Sequence, residues 1–340
     1  MRTRIAVGLM VVAVGLMTLA SGSVTPVSAE DKSKIAPPKH LYGHDLKVRP
    51  GGERDWPKAH KIGVELFHAE STKAIVAISE SGSISVAPAP VGIAVGTDKT
   101  CKWLTAHDLN CRKADEADFT QKTKKWGVEL FQDRGTNRLL YVCESGAVAL
   151  APVPGSLVTE KGPKWHHALV PRVRAPEQRE FNDAKKIGME VFKDENTGGL
   201  VYITETGAIA TSAAPSMTPD PKKPLPPKAA YGLRLGVRGA EETDFSDKTK
   251  QLSIEVFEDP NANTLLYITE GGYIATAPNT KRDDTATSVT WKSAMVLRAR
   301  KVGEPEFPKA KKFGIEVFED NRTGNLIFIS ETGAIAVLPK

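Results

Sequence analysis

The chain has 340 residues, with 46 Lys+Arg against 41 Asp+Glu, 7 His, 3 Cys, 40% hydrophobic residues and only 6% aromatic ones. This composition excludes a disordered or fibrous chain, and the length allows one large core or two ordinary ones. The net charge of +5 is small, and Lys alternates with Asp and Glu instead of clustering, which argues against a nucleic-acid binder.

Residues 1–4 form a short basic start, residues 5–20 an uncharged apolar run, and Val27-Ser28-Ala29 a set of small residues just before Glu30. These match the three regions of a secretory signal peptide cleaved after Ala29. The run falls short of the roughly 20 residues that a helical span needs. The expectation is an exported chain, periplasmic or extracellular, without a membrane span. Residues 30–38 then form an N-terminal tail, and loss of Arg2 and Arg4 lowers the charge to +3.

Residues 39–340 read as one repeat domain with units at about 39–89, 102–152, 164–214, 228–278 and 290–340. The strings Gly63-Val-Glu-Leu-Phe67, Gly127-Val-Glu-Leu-Phe131, Gly188-Met-Glu-Val-Phe192, Ser253-Ile-Glu-Val-Phe257 and Gly314-Ile-Glu-Val-Phe318 carry the central glutamates Glu65, Glu129, Glu190, Glu255 and Glu316. Fifteen residues after each stands a second glutamate (Glu80, Glu144, Glu205, Glu270, Glu331), and two further on a glycine (Gly82, Gly146, Gly207, Gly272, Gly333). Upstream, Arg49, Arg112, Arg174, Arg238 and Arg300 recur, each followed seven residues later by an aromatic: Trp56, Phe119, Phe181, Phe245 or Phe307. Nine residues before three of these arginines lies Trp103, Trp165 or Trp291.

Within a unit the period is that of strands, and both faces are apolar, as in Phe313 to Phe318, Asn325 to Ser330 and Ala334 to Val337. The segments 193–198 and 319–324 have turn composition, as does each Glu-x-Gly. Residues 307–314 carry one helical turn. Adding the strand before each arginine gives four short strands per unit. Five four-stranded antiparallel units buried on both faces define an all-β chain, read as a five-bladed β-propeller; an open array of small β modules is the alternative. The Arg-to-Glu spacing is 16 residues in units one, three and five but 17 in two and four, so a closed ring sets two like units side by side.

A carboxylate between two apolar neighbours in such a strand is buried and needs a partner. The arginine of the same unit is the expected one, giving structural ion pairs Arg49–Glu65, Arg112–Glu129, Arg174–Glu190, Arg238–Glu255 and Arg300–Glu316. A copy in every unit serves the scaffold, whereas catalysis needs one asymmetric site. The second glutamates accept turn amides or cap a neighbouring unit, the following glycines supply positive φ, and the aromatics pack between units.

Function is expected where units differ. His44 and His107 occupy one position and His167 lies two residues earlier in its unit; were the first strands to line the axis, these three would converge as a transition-metal site. A calcium reading of Asp194, Asn196 and Gly198 lacks the later acidic ligand. Cys111 stands where units three and four carry Val173 and Val237, and Cys143 ends the apolar run Leu139 to Val142, so both read as buried thiols; a Cys111–Cys143 disulfide, or one from Cys101, is the alternative in an oxidising compartment. There is no nucleophile elbow, phosphate loop, dinucleotide fingerprint or metalloprotease motif. No cofactor is expected. The reading is a non-enzymatic binding or scaffold module for a glycan or protein partner. The alternatives are a glycan hydrolase or lyase using Asp45 and Asp108 at the channel mouth, and a metal- or redox-associated propeller.

Overall fold

The computed structural model describes residues 37–89, 98–157, 161–213, 225–247, 249–280, 282–286 and 288–340. The expected signal peptide lies outside them. Blade one is β1 (Lys39–Val48), β2 (His60–Ala69), β3 (Ala74–Ser79) and β4 (Ile84–Pro88); blade two is β5 (Cys101–Cys111), β6 (Lys124–Asp133), β7 (Arg138–Cys143) and β8 (Val148–Pro152). Blade three has β9 (Pro163–Leu169), β12 (Met189–Asp194), β13 (Leu200–Thr204) and β14 (Ile209–Ser212), with β10 (Arg172–Val173) and β11 (Lys185–Lys186) pairing as a separate ribbon. Blade four is β15 (Lys228–Val237), β16 (Lys250–Asp259), β17 (Thr264–Thr269) and β18 (Ile274–Pro278). Blade five is β19 (Val289–Ala299), β20 (Lys311–Asp320), β21 (Leu326–Ser330) and β22 (Ile335–Leu338). Each blade is an antiparallel meander in which chain order is sheet order.

The period-2 alternation decides where the core lies. In β2, Val64 and Leu66 join a cluster with Phe131, Leu140 and Val142 of blade two, while Phe67 joins Phe313, Ile315 and Val317 of blade five. There are five such clusters among the described residues, one at each blade junction, so no blade has a core of its own. The last of them joins blade five to blade one. The fold is a closed five-bladed β-propeller, and the open array is excluded.

The innermost strand is the fourth of each blade. Ile84, Ser85 and Val86 and their counterparts in β8, β14, β18 and β22 line an axial cavity of about 50 Å³, room for little more than a water or two. Its hydroxyls are taken up by the neighbouring strands: Ser85 Oγ accepts the Leu150 amide at 2.8 Å, and Thr276 Oγ1 donates to the Thr211 carbonyl at 2.7 Å. The first strands therefore form the outer edge, opposite to the placement that would bring the histidines together. The helical turn expected over 307–314 is shorter, a 3-10 turn over Phe307–Lys309 followed by β20 from Lys311.

Candidate functional site: the blade junctions

The central glutamates are buried and the recurring arginines do bind them, but not within a unit. Arg49 Nε donates to Glu129 Oε1 at 2.7 Å, and Arg112 to Glu190, Arg174 to Glu255, Arg238 to Glu316 and Arg300 to Glu65 at 2.6 Å. A second bond from Nη2 makes each pair bidentate. Every arginine thus reaches the next blade, and Arg300–Glu65 closes the ring. The correction follows from strand parity: Glu65 shares the face of Phe67, turned toward blade five, whereas the chain leaving β1 passes toward blade two.

Further donors converge on the same carboxylates. The indole N–H groups of Trp103, Trp165 and Trp291 donate to Glu129, Glu190 and Glu316 at 2.6–2.7 Å, and His40 Nε2 lies 2.8 Å from Glu65 Oε2. Blade four has Ala229 at that position. The consequence is visible in the acidities. Burial raises Glu255 and the Arg174 guanidinium only partly offsets it, while at Glu65 the same burial is outweighed by His40 and Arg300, and its pKa falls.

Each guanidinium also stacks on the aromatic seven residues on, at 4.2–4.4 Å for Trp56, Phe119, Phe181 and Phe245 but 5.9 Å for Phe307. Those aromatics meet the next blade's tryptophan edge to face: Trp56 with Trp103, Phe119 with Trp165, Phe245 with Trp291. The pairs remain partly open to solvent; Phe119, Trp103 and Phe245 are 43%, 42% and 45% exposed.

The second glutamates also cap the preceding blade. Glu144, Glu205, Glu331 and Glu80 accept the amides of Gly51, Ala114, Ala240 and Val302 at 2.9–3.2 Å. The equivalent donor for Glu270 would come from Pro176, which has no N–H. Burial, with Glu177 close by, raises its pKa. Gly82, Gly146, Gly207, Gly272 and Gly333 all take φ between +82° and +90°, as the turns require.

A second layer of junction contacts is marked in the sequence by a further recurrence. Four residues after the central glutamate, units two to five carry Asp133, Asp194, Asp259 and Asp320, all fully buried. Tyr42 donates to Asp133 at 2.8 Å with His44 Nε2 at 3.1 Å; Tyr141 donates to Asp194 at 2.7 Å. His167 Nε2 lies 3.0 Å and the Tyr202 hydroxyl 3.1 Å from Asp259, and Tyr231 and Tyr267 serve Asp320. His107 Nε2 lies 3.4 Å from Asp194, close enough for attraction but without hydrogen-bond geometry. His44, His107 and His167 therefore sit at three different junctions, each facing an aspartate of the next blade, and they do not meet. Among the described residues no group of three or more His, Cys, Asp or Glu is placed to hold a metal ion. Asp194 and Asn196 belong to this layer too, with the Asn196 amide bonded to Asp194 Oδ1 at 2.9 Å.

The cysteines are free thiols. Cys111 and Cys143 lie on β5 and β7 with β6 between them. Two strand spacings, roughly 9–10 Å, exceed the Cα separation a disulfide spans, which removes that pairing. Burial pushes the Cys143 thiol up to about 11 and the other two higher. Asp45 and Asp108 do not gather at the channel mouth either. Both are on outermost strands, one junction apart, and Asp108 is held by the Gly52 amide at 2.9 Å.

Taken together, the recurring polar residues form the interlocks of a five-bladed propeller. No family model and no curated protein matches the chain. Among solved structures, a catalytically inactive virginiamycin B lyase from Staphylococcus aureus with quinupristin is similar at 13% identity over 89% of this chain and 74% of that one, with a TM-score of 0.12. A selenomethionine-substituted virginiamycin B lyase from Staphylococcus aureus and a streptogramin B lyase each match at 12% identity over 88% of both chains, with TM-scores of 0.12 and 0.11.

Proposed function

We propose that this protein is an exported, non-enzymatic propeller that serves as a binding or scaffold module for a glycan or protein partner. The observation that carries this reading is the division of labour at the junctions. Buried Arg, Glu, Asp, His and Tyr side chains are engaged with one another across blades, while the aromatic residues left open, Trp56, Trp103, Phe119, Trp165 and Phe245, belong to edge-to-face pairs at three junctions of the outer rim. Flat, half-open aromatic faces beside arginines suit sugar rings and protein surfaces alike.

Trp56 and Phe119 test this cleanly, because neither donates a hydrogen bond to a buried glutamate. The full chain applied to an array of immobilised glycans is expected to bind a defined subset, and the double substitution Trp56→Ala, Phe119→Ala to lose it while melting as a folded protein. Binding unaffected by that change, or turnover of the bound glycan, defeats the reading. Export is checked by fractionating cells that produce the full-length chain.

A further inference from the structure

The junction between blades five and one differs from the others at the rim. Arg300 is 28% exposed where its four counterparts are 6–15% exposed. In those four, Nη1 donates to the carbonyl five residues on, at Arg54, Ala117, Arg179 and Thr243. The equivalent carbonyl for Arg300 is that of Pro305, and that bond is not made.

Two more contacts are open at the same place. At the junction of blades one and two the Gly52 amide caps Asp108. The counterparts at the seam are Gly303 and Asp45, and among the described residues neither makes a hydrogen bond, Asp45 being held only by its attraction to Arg300. The three groups left over, a guanidinium N–H, an amide N–H and a carboxylate, surround a cleft of about 390 Å³ lined by Gly43, Asp45, Arg300, Gly303, Glu304 and Pro305.

We infer that this cleft binds a neutral, hydroxyl-rich ligand, a sugar residue, with Asp45 accepting from a hydroxyl that Arg300 Nη1 and the Gly303 amide donate to. The proposal rests on the binding-module reading and names its ligand class. Two donors facing one acceptor match a hydroxyl, which gives one hydrogen bond and accepts others. The charges exclude the other classes. Arg300 is already paired with Glu65, so Asp45 and Glu304 leave the cleft net negative and repel carboxylates and phosphates, while the guanidinium repels a cation placed beside it. The volume lies at the lower end of small-molecule sites, about 300–1,000 Å³, enough for one or two sugar rings against Pro305.

Saturation-transfer NMR on the intact protein, with glucose, galactose, mannose, fucose and N-acetylglucosamine as neutral probes and glucuronate and inorganic phosphate as anionic ones, tests this. At least one neutral sugar is expected to bind. Asp45→Ala is expected to weaken it by about tenfold or more, the loss of a charge-assisted bond, with Asp108→Ala leaving it unchanged. Asp45 is exposed, so the variant is expected to melt like the parent. No transfer to any neutral sugar, equal affinity in Asp45→Ala, or tighter glucuronate or phosphate overturns the inference. Sugar binding that survives Asp45→Ala but falls with Trp56→Ala overturns the cleft and supports the binding module. Hydrolysis of an aryl glycoside that is lost in Asp45→Ala supports the cleft and overturns the non-enzymatic reading.

Discussion

Glu316 is 1% exposed and its partner Arg238 is 5% exposed, so each charge is tolerable only because the other is there. Removing one partner of such a pair leaves the other stranded. Arg238→Met is therefore expected to cost about 3–5 kcal/mol, read as a fall in the urea midpoint at unchanged slope. Arg300→Met is expected to cost clearly less, because Arg300 is half-open to water and His40 still reaches Glu65. Equal losses in the two variants would contradict this account. Acid sensitivity belongs to this scale too. Burial alone would raise Asp194, but the His107 imidazole, the Tyr141 hydroxyl and the Asn196 amide hold it at about 2. A carboxyl depressed on folding stabilises above its unfolded pKa, near 3.9, and loses that contribution as pH falls through its folded value. Asp194→Asn should thus flatten the stability profile between about pH 4 and 2 by on the order of 2 kcal/mol, measured by thermal melts across that range. Spacing alone revealed that Arg and Glu recur together. It was silent on which copy pairs with which, because moving the partner on by one whole repeat, to 78–81 residues from the arginine, leaves the recurrence unchanged.

Strands carry the next level of information, and here the sequence was half legible. Turn chemistry and two-sided apolar character gave four strands per unit, but not which strand sits at the axis. The signal was side-chain size. Of the three residues that each fourth strand brings to the axis, the middle one is small, Ser85, Ala149, Ala210, Ala275 or Ala336, which suits the narrow end of a wedge. The junction of blades three and four shows how one residue alters an element. Pro176 withdraws the amide that elsewhere caps the second glutamate, and Glu270 is left with a raised pKa. Pro176→Ala is expected to restore that donor and lower the Glu270 titration midpoint, followed by carbon-detected NMR of the carboxyl. An unmoved midpoint would show that Glu177, not the missing amide, sets it. The net stability change should stay within about 1 kcal/mol, since losing Pro also frees the unfolded chain.

At the scale of the ring, the junction joining blade five to blade one lacks the aspartate layer on both sides at once. Blade one has Ala69 where the others have aspartate, and blade five has Ser293 where blades one and four have Tyr42 and Tyr231, and Phe328 where blades two to four have Tyr141, Tyr202 and Tyr267. Phe328 and Ala69 lie in one apolar cluster, and Ser293 Oγ is buried without a partner. Ala69→Asp alone should bury an unpaired carboxylate and cost several kcal/mol. Adding Phe328→Tyr should recover part of it, with a coupling of about 1–2 kcal/mol in a double-mutant cycle. Strict additivity would mean that these positions do not face one another as described. The same junction holds the Asp45 cleft, which no spacing rule could flag, because it arises from bonds that its counterparts make and it does not.

Each blade offers a guanidinium on one side and a carboxylate on the other, so every contact is head to tail and none is self-complementary. Contacts of this kind carry no instruction about when to stop; only the rotation per copy decides between a circle and an unending thread. Here the first and last sheets are both whole, with no strand exchanged between them. A molecule sprung open at Arg300 would therefore expose two mutually adhesive surfaces, and the next molecule could complete it in place of its own tail.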